Sequence, residues 1–147
     1  MKTILAPTRG GERSFPNQDY AIRLAKERGA KLLFLNVNDI QFLNMVASPI
    51  AVDIATDELE EMGEFLVTLA KERAAKQGLE VETLVKNGVF RAVLEDVIQQ
   101  KNVEILAMGT SSEQTGVTTK DYMRDLGRQL GETFGIEVIL LYNGEAL

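Results

Sequence analysis

Arg9 followed by Gly10-Gly11, and the run Gly109-Thr110-Ser111-Ser112, are the residues whose types and spacing fit a chemical task. A guanidinium holds a phosphate or carboxylate through two parallel N–H donors, and glycine backbone amides with neighbouring hydroxyls can complete such a grip. The chemistry on offer is therefore the holding of an anion. Arg9 has a second reading, an ion pair with Glu12 or Glu113 that locks the loops together. The chain has no histidine, cysteine or tryptophan. A Ser-His-Asp triad, a thiolate nucleophile and the ordinary zinc, haem and iron–sulfur sites are thereby excluded. Glu12, Asp19, Glu113 and Asp121 supply carboxylates, but no spacing among them marks a general acid–base pair. No catalytic residue and no metal site is expected.

The elements that must hold these residues come from an alternation of short apolar runs with longer amphipathic segments, the pattern of βαβ units. Strands are expected at 3–6, 31–37, 79–86, 103–108 and 136–142. The first helix should begin at Ser14 with Pro16 in its first turn, present Tyr20, Leu24 and Ala25 inward, and end at Gly29. Thr56 should cap a second helix whose apolar stripe is Leu59, Met62, Leu66, Leu69, Ala70 and Ala74. Its early acids (Asp57 to Glu64) and late bases (Lys71 to Lys76) complement the helix dipole and read as a solvated face. A third helix follows Asn87-Gly88 with Val89, Val93, Leu94, Val97 and Ile98 inward, and a fourth spans 119–134. The fold expected is three-layer α/β, a five-stranded parallel sheet with about four helices and a switch point near the first strand.

Two features stand outside that scheme. Residues 40–54 carry Phe42, Leu43, Met45, Val46, Ile50, Val52 and Ile54 around an interrupting Ser48-Pro49, and read as a loop or short helix. They should roof the crevice or dock a second copy, with a different protein as the alternative. Gly127 and Gly131 each cost a helix about 1 kcal/mol relative to alanine, so close packing of the last helix on the sheet or another subunit is expected. Lys120, Arg124 and Arg128 read as an ion-paired surface with Asp121, Asp125 and Glu132.

A length of 147 residues suits one domain, 1–147. With 22 acids against 16 bases the net charge is −6, which argues against nucleic acid and anionic membranes as partners. No stretch approaches a membrane span, and the start reaches Pro7 and a charged turn too early for a secretory signal. A cytoplasmic location is expected.

Three stretches then combine. Ile4 to Glu12 with Ala21 to Ala25, Gly88-Val89-Phe90 with Leu94, and Val103 to Gly109 resemble, in order and spacing, the strand-one turn, the third-helix turn and the fourth strand of the universal stress protein family. The resemblance implies an adenine nucleotide alpha hydrolase-like sheet of order 3-2-1-4-5 and a homodimer through the C-terminal strand. Its nucleotide-binding branch follows strand four with G-x2-G-x9-G-S/T. Here Gly109 matches, but Ser112, Tyr122 and Met123 occupy the later positions, and Arg9 replaces the aspartate usual after strand one.

The candidate ligand residues are therefore those of the generic crevice: Pro7, Thr8, Arg9, Gly10, Val37, Met108, Gly109, Thr110 and Ser112. The function expected is stress-response binding, as regulator or adaptor toward an unidentified protein, without the standard ATP site and without a certain cofactor. The alternative is a sensor or slow ATPase that binds ATP or another adenine nucleotide in a modified site at the ends of strands 1, 2 and 4.

Overall fold

The computed structural model describes residues 1–40, 45, 48–110 and 120–147. Strand β1 (Thr3–Pro7) leads through a 3₁₀ turn, Glu12–Ser14, into helix α1 (Phe15–Arg28). Then come β2 (Lys31–Asn38), α2 (Pro49–Lys76), β3 (Glu82–Asn87), α3 (Phe90–Gln100), β4 (Ile105–Gly109), α4 (Lys120–Phe134), β5 (Glu137–Tyr142) and β6 (Glu145–Ala146). The sheet order is β3-β2-β1-β4-β5-β6, parallel from β3 to β5.

The sheet thus has six strands where five were expected. The sixth is antiparallel to β5 and pairs Leu141 with Ala146 and Tyr142 with Glu145. Its cause is local: Asn143 (φ 51) and Gly144 (φ 83) are both left-handed, the conformation of a two-residue hairpin turn that Asn-Gly favours.

Helices cover both faces, which is why the central strands carry near-continuous apolar runs such as Leu32 to Leu35 and Ile105 to Met108. Ile4, Leu32, Phe34 and Ile105 face one way, onto Ala21, Ile22 and Ala25 of α1 and Ala70 and Ala74 of α2. Leu5, Leu33, Leu35 and Leu106 face the other, onto Val93, Leu94 and Val97 of α3 and Met123, Leu126 and Leu130 of α4. Gly29 closes α1 in the left-handed conformation, and the Ala30 N–H reaches back to the Ala25 carbonyl at 2.9 Å. Ser14 precedes α1 without a capping bond, because the 3₁₀ turn feeds the helix directly.

Helix α2 starts seven residues before the expected Thr56, since Pro49 stands at its first turn and Ser48 Oγ accepts the Ala51 N–H at 3.2 Å. Ser48-Pro49 begins a helix there and does not interrupt one. Of the expected α2 stripe Ala70 and Ala74 are buried and Leu59, Leu66 and Leu69 half-buried, but Met62 is exposed, and Gly63 and Val67 from outside the stripe are buried instead. Gly63 admits the sheet closely, because a β-carbon there would lie 2.8 Å from both Asn36 Oδ1 and Val85 Cγ1. Arg73 then ties α2 to α1 by donating to Asp19 at 2.6 Å and stacking 4.0 Å from the Phe15 ring.

Candidate functional site

β1 is flanked by β2 on one side and β4 on the other, so the carboxyl ends of these three strands meet at the switch point of the sheet, where ligands of α/β folds bind. This topology brings Pro7, Thr8, Arg9 and Gly10 to one edge with Val37, Met108, Gly109 and Thr110. Ser112 lies outside the described residues, as do Phe42, Leu43, Val46 and Glu113.

Thr8 is the hub of this edge. Its N–H donates to the Leu35 carbonyl at 2.8 Å, and its own carbonyl accepts from Asn36 Nδ2 at 3.3 Å. Its hydroxyl oxygen accepts the Gly10 N–H at 3.1 Å and Gln18 Nε2 at 2.9 Å. Both hydroxyl lone pairs are therefore used internally, and only the hydroxyl hydrogen remains to be donated. Gln18 and Asn36 are buried, at 2% and 6% exposure, and their side-chain oxygens have no hydrogen-bond partner among the described residues.

Gly10 is held by two independent constraints. It is left-handed at φ +85, and a β-carbon there would lie 2.4 Å from Leu66 Cβ. The loop after β1 is thus pressed against α2, and no L side chain fits. Gly109 is held by a third residue. A β-carbon at 109 would stand 2.7 Å from Asn17 Nδ2, and Asn17 Oδ1 in turn accepts the Gly144 N–H at 2.8 Å. The glycine that begins the phosphate-loop pattern has a packing requirement of its own.

The remaining candidates divide by environment. Arg9 is exposed, Pro7 and Val37 are half-buried, and Thr110 donates its N–H to the Leu141 carbonyl at 2.8 Å. Met108 is completely buried in the cluster beneath α3 and α4, so only its backbone faces the edge of the sheet. Met123 is likewise core, at 1% exposure. Asp19, one of the scattered carboxylates, is taken by Arg73. Among the described residues no group of three His, Cys, Asp or Glu is placed to hold a metal ion.

Asn17, Gln18 and Asn36 were not among the residues expected at the site, and Leu66 was expected only as part of the α2 stripe. A signal for two of them exists. Asn36 falls on the same strand face as Leu32 and Phe34, and Gln18 lies one turn before Ile22 on the inward side of α1. An amide on a buried face needs a partner, and here Thr8 supplies it.

The profile of the Universal stress protein family matches residues 1–119. A universal stress protein of Methanocaldococcus jannaschii is 26% identical over 113 residues, 76% of this chain and 66% of the length of that protein. Among solved structures, a universal stress protein from Burkholderia pseudomallei superposes with a TM-score of 0.69 at 18% identity, covering 96% of each chain. A universal stress protein in complex with cAMP superposes with a TM-score of 0.67 at 16% identity, covering 97% of each. The family profile runs through β1, the crevice and β4, and the fold agrees with it from end to end: the chain belongs to the universal stress protein family.

Proposed function

We infer that this chain works by binding, as a regulator or adaptor in a stress response, without turnover and without the standard ATP site of its family. The observation that carries the reading is Asn17 seated on Gly109 and anchored to Gly144, which gives the one retained glycine of the phosphate loop a structural reason to be there. Thr8 supports it, since its lone pairs are consumed internally. So does the replacement of the later pattern positions by Tyr122 and the buried Met123, whose β-carbons keep phosphate from the backbone. The test is isothermal titration with MgATP: no heat of binding is expected, and saturable binding at micromolar ATP overturns the reading.

A second reading is favoured by the cAMP held by one structural neighbour. A ligand with a single phosphate asks less of a glycine loop than ATP does. In this reading the crevice residues Pro7, Thr8, Arg9, Gly10, Val37, Gly109, Thr110 and Ser112 hold an adenine nucleotide, with Met108 contributing backbone only. Titration with AMP and cAMP separates the two, and Arg9→Ala must weaken any such binding if the guanidinium meets the phosphate.

The reading also places the chain in the cytoplasm, as one domain that pairs with a second copy. No described helix is long and apolar enough to cross a membrane. On its outer side β5 meets β6 only at Leu141 and Tyr142, with the Leu147 N–H added on the Leu140 carbonyl, so its earlier residues remain open to a two-fold mate. Sedimentation at micromolar concentration should show a dimer, and a monomer would refute the pairing.

A further inference from the structure

Helix α2 has two apolar faces. Its buried positions, Gly63, Val67, Ala70 and Ala74, begin only in the second half of the helix. The first half has no buried residue, yet it bears Ile50 and Ile54, exposed at 75% and 56%, followed by Met62 at 55% and Phe65 at 58%. At 3.6 residues per turn Ile50, Ile54 and Phe65 fall within about 60° of one another, with Met62 beside them, on the side away from Gly63 and Val67. From Ile50 to Phe65 the stripe runs about 22 Å. Exposed apolar side chains spread over that length and interleaved with acids suit a partner helix that offers both apolar and basic groups.

The charges on the same segment select the partner. From Pro49 to Ala70 the helix bears Asp53, Asp57, Glu58, Glu60, Glu61 and Glu64 and no lysine or arginine. None of these acids forms an ion pair among the described residues. Glu58 and Glu61 fall inside the stripe, between Ile54 and Phe65. Asp57, Glu60, Glu61 and Glu64 line a groove of about 620 Å³ along its flank, with Val85 as the apolar wall. Two copies meeting through this segment would set acids against acids with no base to separate them, and an anionic lipid surface would be repelled in the same way.

We propose that the outer face of α2 docks a cationic amphipathic helix of a partner protein. Its apolar anchors would sit about three turns apart, over Ile54 and Phe65, with lysines or arginines between them to meet Glu58 and Glu61. The outer face of α2 includes none of the candidate crevice residues, so the proposal does not require a nucleotide to bind there.

The test uses the full chain and a labelled eighteen-residue peptide of leucine and lysine patterned as an amphipathic helix, followed by fluorescence anisotropy. Saturable binding is expected, and Ile54→Ser with Phe65→Ser should weaken it by about tenfold or more, the effect of removing central anchors. Glu58→Gln with Glu61→Gln should also weaken it and flatten its salt dependence. All four side chains sit on the exposed side of α2, so circular dichroism and the urea midpoint should be those of the parent chain. The proposal is overturned by absence of binding, by equal binding of a peptide with glutamate for lysine, or by affinity indifferent to both pairs of substitutions. Sedimentation equilibrium covers the rival occupant: self-association that Phe65→Ser abolishes would assign the face to a second copy.

Discussion

The amide of Asn17 lies against the α-carbon of Gly109 and hydrogen-bonds the Gly144 backbone, joining the first turn of α1 to the end of β4 and to the turn before β6. A methyl group at 109 would push Asn17 aside. Because the obstacle is the end of a short side chain, the cost of Gly109→Ala should be about 1 kcal/mol, the worth of the released Gly144 bond. Asn17→Ala should cost about the same, and the double variant clearly less than the sum. Urea titrations of the three variants measure this, and strict additivity would separate the two residues.

Thr8 gathers four hydrogen bonds at the carboxyl end of β1, two of them on its hydroxyl oxygen. Thr8→Val keeps the shape but leaves the Gln18 amide and the Gly10 N–H without an acceptor. A loss of about 2–3 kcal/mol is expected, the cost of orphaned buried donors. Thr8→Ser keeps the oxygen and should recover most of it. A valine variant as stable as the parent in the same unfolding assay would remove the hub.

The helix glycines should respond to alanine with opposite signs. Propensity alone favours alanine by about 1 kcal/mol at an interior helical position. At Gly63 the new β-carbon meets Asn36 Oδ1 and Val85 Cγ1 at 2.8 Å, and overpacking of that kind costs about 1–3 kcal/mol, so Gly63→Ala should be destabilising. At Gly131 the nearest atoms are the Ile136 carbonyl at 3.4 Å and Val138 Cγ2 at 3.6 Å. Gly131→Ala should be neutral or stabilising. Thermal midpoints of the two variants, one lower and one equal or higher, check both.

Arg28 at the end of α1 holds Glu137 at the start of β5 through two bonds, and this guanidinium keeps the Glu137 carboxyl below the usual carboxylate range. A depressed native pKa means the unfolded chain takes up the proton first. The contribution is therefore fully present above the ordinary glutamate pKa and is lost as pH falls through the lower native value. Since both side chains are substantially exposed, the effect is small and screened by salt. Glu137→Gln should lower stability slightly at neutral and alkaline pH and converge on the parent's value as pH falls, so that its acid-side slope is flatter. Urea midpoints measured from neutral to acid pH test the slope.

Much of the architecture was legible in the chain alone. Unbroken apolar runs such as Leu32 to Leu35 and Ile105 to Met108 announce strands covered on both faces, and glycine after Arg28 announces a helix end, because burial and left-handed conformation are decided within a few residues. The departures Ser112, Tyr122 and Met123 from the phosphate-loop pattern were equally visible, and so was the acidic run of α2. Three local signals were passed over: Ser48-Pro49 as a helix start, Asn143-Gly144 as a hairpin turn, and the amides Gln18 and Asn36 on apolar faces.

What the sequence by itself determined, then, is the order of elements, the parallel sheet and the residues gathered at its carboxyl edge, since these follow from periodicity, turn chemistry and the handedness of crossovers. Only the tertiary structure decided what those residues touch. Asn17 and Gly144 are 127 positions apart, Gly10 meets Leu66, and Gly63 meets Asn36 and Val85. No local propensity encodes such pairs, because they exist only once the layers have closed and two surfaces compete for the same volume.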